Sequence, residues 1–174
     1  MKKRIFTILL SVLMMSALIT SAASAGGNVG LKGVQFSIGS LDVTGTLTGL
    51  GGYKDGVQVD LTATGVPVVT CVSPGGKDSP PGQNPSQVSA TATQYITQIF
   101  KNGTAPVNVS AEPTLTGIQG GCANNNWTAR IDFVFWTHAS IVVTNLSTNA
   151  VLLQQEYSCV TTRFPASVTC TLIT

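Results

Sequence analysis

The clearest pattern in the chain runs from Trp127 to Asn145. Trp127, Ala129, Ile131, Phe133 and Phe135 alternate with Thr128, Arg130, Asp132, Val134, Trp136 and His138. Alternation of this kind sets successive side chains on opposite faces of a strand and marks a half-buried one. The odd positions form the apolar face, so Phe133 and Phe135 are expected in the core. The even positions, Trp136 among them, are expected on the outer, mixed face. No other stretch places as many large aromatic groups on one side, and this strand is expected at the centre of the fold.

Weaker alternation fills much of the remaining sequence. Val34, Phe36 and Ile38 share one side, and Leu41, Val43 and Leu47 share another, so a bend or bulge is expected near Gly39–Ser40. Residues 26–33 read as a loose leader. Glycines 49–52 and the pair Asp55–Gly56 are turn chemistry, and Val57, Val59 and Leu61 follow as a strand face. The short-range expectation is a hairpin pairing residues 41–48 with 56–63, broken at Gly65–Val66–Pro67. Val68–Val72 would then be a separate short strand. Further strands are expected over Val88–Ile96 (weak, near an edge), around Val107 and Val109, over Pro113–Ile118, over Ala139–Asn145 as a second strand after Trp127–His138, over Ala150–Val160 and over Ser167–Ile173. Turns are expected at 101–104 and 145–149.

Two irregular segments stand out, at 73–86 and 117–126. The first holds four prolines and three glycines, which exclude regular structure. The architecture these elements imply is all-β. It is an immunoglobulin-like antiparallel β-sandwich of roughly nine to eleven short strands, with a jelly roll or an open barrel as the alternative.

The cysteines sharpen this picture. The chain has four, Cys71, Cys122, Cys159 and Cys170. An even count in an exported protein implies two disulfides, for which three connectivities exist. Cys159 and Cys170 each lie five residues from the Phe164–Pro165 pair. They would face each other across a hairpin folded at Arg163–Ala166, within reach of a bridge. Cys71 is left to pair with Cys122. No Cys-x-x-Cys spacing is present, which excludes a zinc site of the usual kind.

Export itself is read from the first 25 residues. Met1-Lys-Lys-Arg4 leads into an apolar run from Ile5 to Ile19 and an Ala23-Ser-Ala25 site, the pattern of a secretory signal peptide. The run is about 15 residues, short of the roughly 20 that a spanning helix needs. Residues 1–25 are therefore expected to be cleaved and residues 26–174 to form one domain outside the cytoplasm. The basic, short leader has a bacterial look. Of the 174 residues, 149 remain when 25 are removed. Three of the nine Lys+Arg lie at positions 2–4, which leaves six against seven Asp+Glu and a net charge of −1. The basic isoelectric point belongs to the leader, and no basic footprint for nucleic acid or anionic lipid remains.

Candidate chemistry is sparse. His138 is the lone histidine, and Asp132 is the nearest acid in sequence. Six residues along one strand separate them by about 20 Å, too far for a triad. A surface or turn histidine at a strand end is expected. The seven acids are dispersed and carry no calcium-loop spacing. Four Asn-x-Ser/Thr matches, at Asn102, Asn108, Asn126 and Asn145, read as turn residues in a Thr- and Asn-rich chain. The candidate ligand face is Arg130, Asp132 and Trp136, with Tyr53 as a second aromatic platform. No cofactor or metal is implied.

The functional expectation is an exported, non-enzymatic β-sandwich with a binding or structural role at the cell surface or in the extracellular matrix. Its partner would be a surface or matrix component, a glycan or a second copy. A carbohydrate-binding module is the first alternative. A secreted hydrolase is the second.

Overall fold

The computed structural model describes residues 28–81, 87–113, 122 and 126–173. Nine strands are described: β1 Gly30–Ser37, β2 Leu41–Thr48, β3 Val57–Val72, β4 Asp78–Pro81, β5 Val88–Ile96, β6 Ala105–Ala111, β7 Thr128–Asn145, β8 Val151–Arg163 and β9 Ala166–Leu172. They form two antiparallel sheets packed face to face. One has the order β1-β2-β6. The other has the order β4-β3-β7-β8-β9, with β5 also paired to β3. With β1, β2 and β6 as strands A, B and E, and β5, β3, β7 and β8 as C′, C, F and G, this is an immunoglobulin-like strand order. β9 extends it. No helix among the described residues is long and apolar enough to cross a membrane.

The core lies between the sheets. Leu41, Val43, Leu47, Ala105, Val107, Val109 and Ala111 face inward from the small sheet. Val57, Val59, Leu61, Ala63, Ala139, Ile141 and Val143 meet them from the large one. The ring of Phe36 packs edge-on against Tyr157 at 5.0 Å between centroids, joining the small sheet to the large one. Leu50, from the β2–β3 connection, closes one end. It is buried, and its N–H donates to Gly103 O at 2.9 Å.

Several local expectations change. The 73–86 segment, expected to hold no regular structure, contains the short strand β4, which pairs with the end of β3. β1 begins at Gly30, inside the presumed leader, and Gly33 (φ 62°) sits where its register against β2 shifts. The bend at Gly39 is a hairpin turn, which lets both apolar sets reach the core side. β2 does not pair with β3. The chain crosses between the sheets at residues 49–56, and β2 pairs with β1 and β6 instead. β3 is not broken at Pro67. Its sixteen residues run on, with Pro67 past the end of β5 at Gly65 and before β4 at Thr70. Among the described residues, no neighbour on that side asks for the missing N–H.

The largest correction concerns β7. β3 keeps one parity throughout, but β7 carries two extra residues against it. Val68 pairs with Phe133 and Val69 with Ile131, which leaves Asp132 over. Thr64 pairs with His138 and Gly65 with Trp136, which leaves Thr137 over. Each bulge turns the side-chain alternation by one residue. The inward set is therefore Ala129 and Ile131, then Val134 and Trp136, then Ala139, Ile141 and Val143. Trp136 is 1% exposed and among the largest buried groups. Phe133 and Phe135 lie on the outer face, half-buried, beside Val66 and Val68. Gly65, opposite Trp136, is needed there: a Cβ would come within 2.7 Å of Phe135 O.

Both disulfides form as expected. Cys71 joins Cys122 across 51 positions, and Cys159 joins Cys170, its direct partner in the β8–β9 register. The β8–β9 turn is Phe164–Pro165, with a cis peptide bond. Two intramolecular bridges accord with an oxidising compartment. The expected signal peptide, the expected strand beyond Pro113, residues 82–86 and most of the 117–126 loop lie outside the described residues.

Candidate functional site

The four residues expected to share a ligand face do not converge. Arg130 and Asp132 stand together on the outer side near the start of β7. Arg130 Nε donates to Asp132 Oδ1 at 2.8 Å, with the side chains 53% and 26% exposed. Thr70 Oγ1, one strand away on β3, donates to the other carboxylate oxygen. These contacts hold the Asp132 carboxyl below its ordinary range, the Thr70 hydrogen bond being the larger cause and Arg130 the next.

Trp136 points the other way, into the core, so its ring face is closed to any ligand. Its Nε1 finds no acceptor among the described residues. The outer aromatic surface on β7 is instead the pair Phe133 and Phe135, whose rings meet edge-on at 5.0 Å. Strict alternation places Trp136 outside and the two phenylalanines inside, and the two bulges against β3 reverse that order.

Tyr53 lies elsewhere, in the β2–β3 connection. It lines an open cleft of about 300 Å³ with Leu50, Lys54, Thr97, Phe100 and Lys101. A second depression, about 370 Å³, lies beside Asp132 and takes in Ser40, Glu112, Pro113 and Phe133.

The histidine sits in the interior of β7, not at its end. Its partner is Glu156 on β8, eighteen positions away and brought beside it by the pairing of His138 with Ser158 and of Ser140 with Glu156. His138 Nε2 lies 3.1 Å from Glu156 Oε2, and Ser140 Oγ donates to Glu156 Oε1 at 2.8 Å. Gln154 Nε2 also donates to Oε1, at 3.1 Å. The Gln154 and Ser140 hydrogen bonds, with a smaller contribution from His138, hold Glu156 below its ordinary range.

A serine, a histidine and an acid are thus adjacent, but in the wrong order for nucleophilic catalysis. A triad places the histidine between serine and acid, so that the imidazole takes the hydroxyl proton. Here the carboxylate lies between, and the Ser140 hydroxyl is committed to it.

Two further acids, Asp60 and Asp42, are held in the same way by neighbouring hydroxyls and amides. Asp60 accepts from Gln58 Nε2 and from Thr93 Oγ1 at 2.6 Å. Asp42 accepts from Ser40 Oγ at 2.9 Å and also from Ser110. Among the described residues, no group of three or more His, Cys, Asp or Glu side chains is arranged to hold a metal ion. The outer faces are therefore ladders of short polar side chains that satisfy one another across strands.

The asparagines of two glycosylation-like matches act as turn caps. Asn102 Oδ1 accepts from the N–H and the hydroxyl of Thr104, and Asn145 Oδ1 accepts from those of Ser147. Asn108 differs, lying within β6. No protein-family model, no curated protein and no solved structure matches this chain.

Proposed function

We propose that the protein is an exported, non-enzymatic β-sandwich that works by binding or assembly at the cell surface or in the extracellular matrix. The single observation that carries this reading is the fate of its reactive groups. Four of the acids, Asp42, Asp60, Asp132 and Glu156, are engaged on the outer sheet faces by serine, threonine, glutamine or arginine side chains, and the lone histidine is paired with Glu156. The leader pattern and the two bridges support export. The low charge and the hydroxyl-rich surface suit a protein whose work is contact.

Fractionation of the producing cells tests this. The protein is expected in the medium or exposed to external protease on intact cells. Retention inside the cytoplasm overturns the reading.

Carbohydrate binding is kept as a second reading on one observation. Tyr53 and the 63% exposed Phe100 line one cleft, flanked by Lys54 and Lys101. Aromatic faces are general platforms for flat apolar ligand surfaces. Trp136 has no part in it. A glycan array should show binding that Tyr53→Ala abolishes, and a blank array ends this alternative.

A further inference from the structure

Each exposed strand edge bears a ladder of unpaired N–H and C=O groups, and native proteins blunt such edges with charge, proline or bulges. The described edges of this molecule differ on that test. β5 holds no charge, glycine or proline, but its side away from β3 is bridged at Ala90 to Pro113. β1 carries Lys32 and the register shift at Gly33. β4 carries Asp78, Pro80 and Pro81. β6 carries Pro106, and the N–H of Asn108 is capped by Gln94 Oε1 of β5 at 2.9 Å. The first half of β7 runs past the end of the β8 ladder at His138, and it carries Arg130, Asp132 and the Asp132 bulge. β9 has none of these devices. Its sequence, Ala166-Ser-Val-Thr-Cys-Thr-Leu172, holds no charge, glycine or proline, and its register with β8 is unbroken.

The direction of its free groups follows from one bond. Ile173 N donates to Glu156 O at 2.7 Å, so Ile173 faces β8. Backbone direction alternates along a strand. The N–H and C=O groups of Val168, Cys170 and Leu172 therefore face away from β8, and β9 is the last strand of its sheet. The edge is also held rigid. The Cys159–Cys170 bridge ties its middle, Thr162 and Ser167 share a hydroxyl bond at 2.7 Å, and Thr171 Oγ1 donates to Ser158 O. A preordered edge loses little entropy when a second strand adds to it.

We infer that β9 is a strand-addition edge, and that its partner is β9 of a second copy of this chain, joined antiparallel about a two-fold axis. Charge argues for the second copy. In a two-fold pair the strand faces its own copy, so a net charge on it would face the same net charge. β9 meets this requirement with Ser, Thr, Val and Leu alone. Antiparallel pairing of the two edges would join both large sheets into one continuous sheet. This partner rests on the assembly branch of the function proposed above.

The test is light scattering of the exported full chain across a wide concentration range, together with amide hydrogen exchange. The scattering mass is expected to double with concentration. The amides of Val168, Cys170 and Leu172 should slow in step with it, while that of Thr169 stays slow throughout. Thr169→Lys and Leu172→Pro should each hold the protein at monomer mass. Leu172→Pro removes an outward N–H and leaves the β8 bonds in place. Thr169→Lys guards against a folding failure in the proline variant. A monomer at every concentration overturns the inference, as does a dimer in which those three amides exchange fast. A larger complex with a different protein at this edge also overturns it. Fractionation reads the broader function separately: an exported monomer defeats this inference alone, and a cytoplasmic dimer defeats the export reading alone.

Discussion

Trp136 is the residue whose place changes most between sequence and structure. Read by alternation it belongs outside; two bulges turn it inward, where Gly65 leaves room for it. The energetic consequence is direct. Trp136→Ala should cost roughly 3 to 5 kcal/mol, as truncation of a fully buried aromatic does. Phe133→Ala, on the half-buried outer face, should cost roughly 1 to 2 kcal/mol. Urea unfolding of the two variants checks the order, and a larger loss for Phe133 would restore the original parity. The carboxylates give a second residue-scale prediction. Asp132 and Glu156 are both held below their unfolded values of 3.8 and 4.5. A group whose folded pKa is depressed contributes its stability above the unfolded pKa and loses it as pH falls through the folded one. Stability should therefore be flat near neutrality and fall with acid from about pH 4.5 downward. Thr70→Val and Arg130→Ala should each raise the Asp132 pKa, the first by removing the hydroxyl bond and the second by removing a hydrogen bond and a positive charge together. Carbon-detected NMR titration of the two variants checks this, and an unmoved Asp132 in either would contradict it.

At the scale of elements, much was legible. Leu41, Val43 and Leu47, and then Val57, Val59 and Leu61, alternate without interruption, and all six are fully buried. The β8–β9 hairpin and its bridge follow from five-residue spacings about Phe164–Pro165. What sequence did not reveal has a common physical origin. A bulge is a relation between two strands, so the one at Asp132 has no local signature within Ile131-Asp-Phe133. The pairing of β2 with β6, rather than with its neighbour β3, is likewise a non-local choice. Pro67 misled for the same reason, since proline forbids a strand only where a neighbour needs its N–H. The candidate ligand face failed with the parity that defined it: Arg130 and Asp132 were placed correctly outside, and Trp136 was not. The two bridges differ in what they constrain. In the chain-entropy account, replacing Cys71 and Cys122 by serine should cost about 4 kcal/mol, and replacing Cys159 and Cys170 roughly 2 to 3 kcal/mol. Denaturant midpoints of the two double variants measure the difference, and equal losses would mean that loop length is not what sets the stabilisation.

For the whole molecule, the account is of a sandwich whose inside is apolar and whose outside is bonded to itself. Four of the acids and the histidine are engaged on the outer sheet faces, Cys122 is tied by sulfur to Cys71 of β3, and the β9 edge carries no charge, proline or bulge. These features make sense together for a chain that leaves the cytoplasm, oxidises and then meets partners. Intact mass of the protein recovered from the medium or cell surface, without reduction, tests that sequence of events in one measurement. The account predicts a chain that begins at Gly26 and is lighter by four hydrogens than the same chain with free thiols. A full-length chain from Met1 with all four cysteines reduced would contradict it.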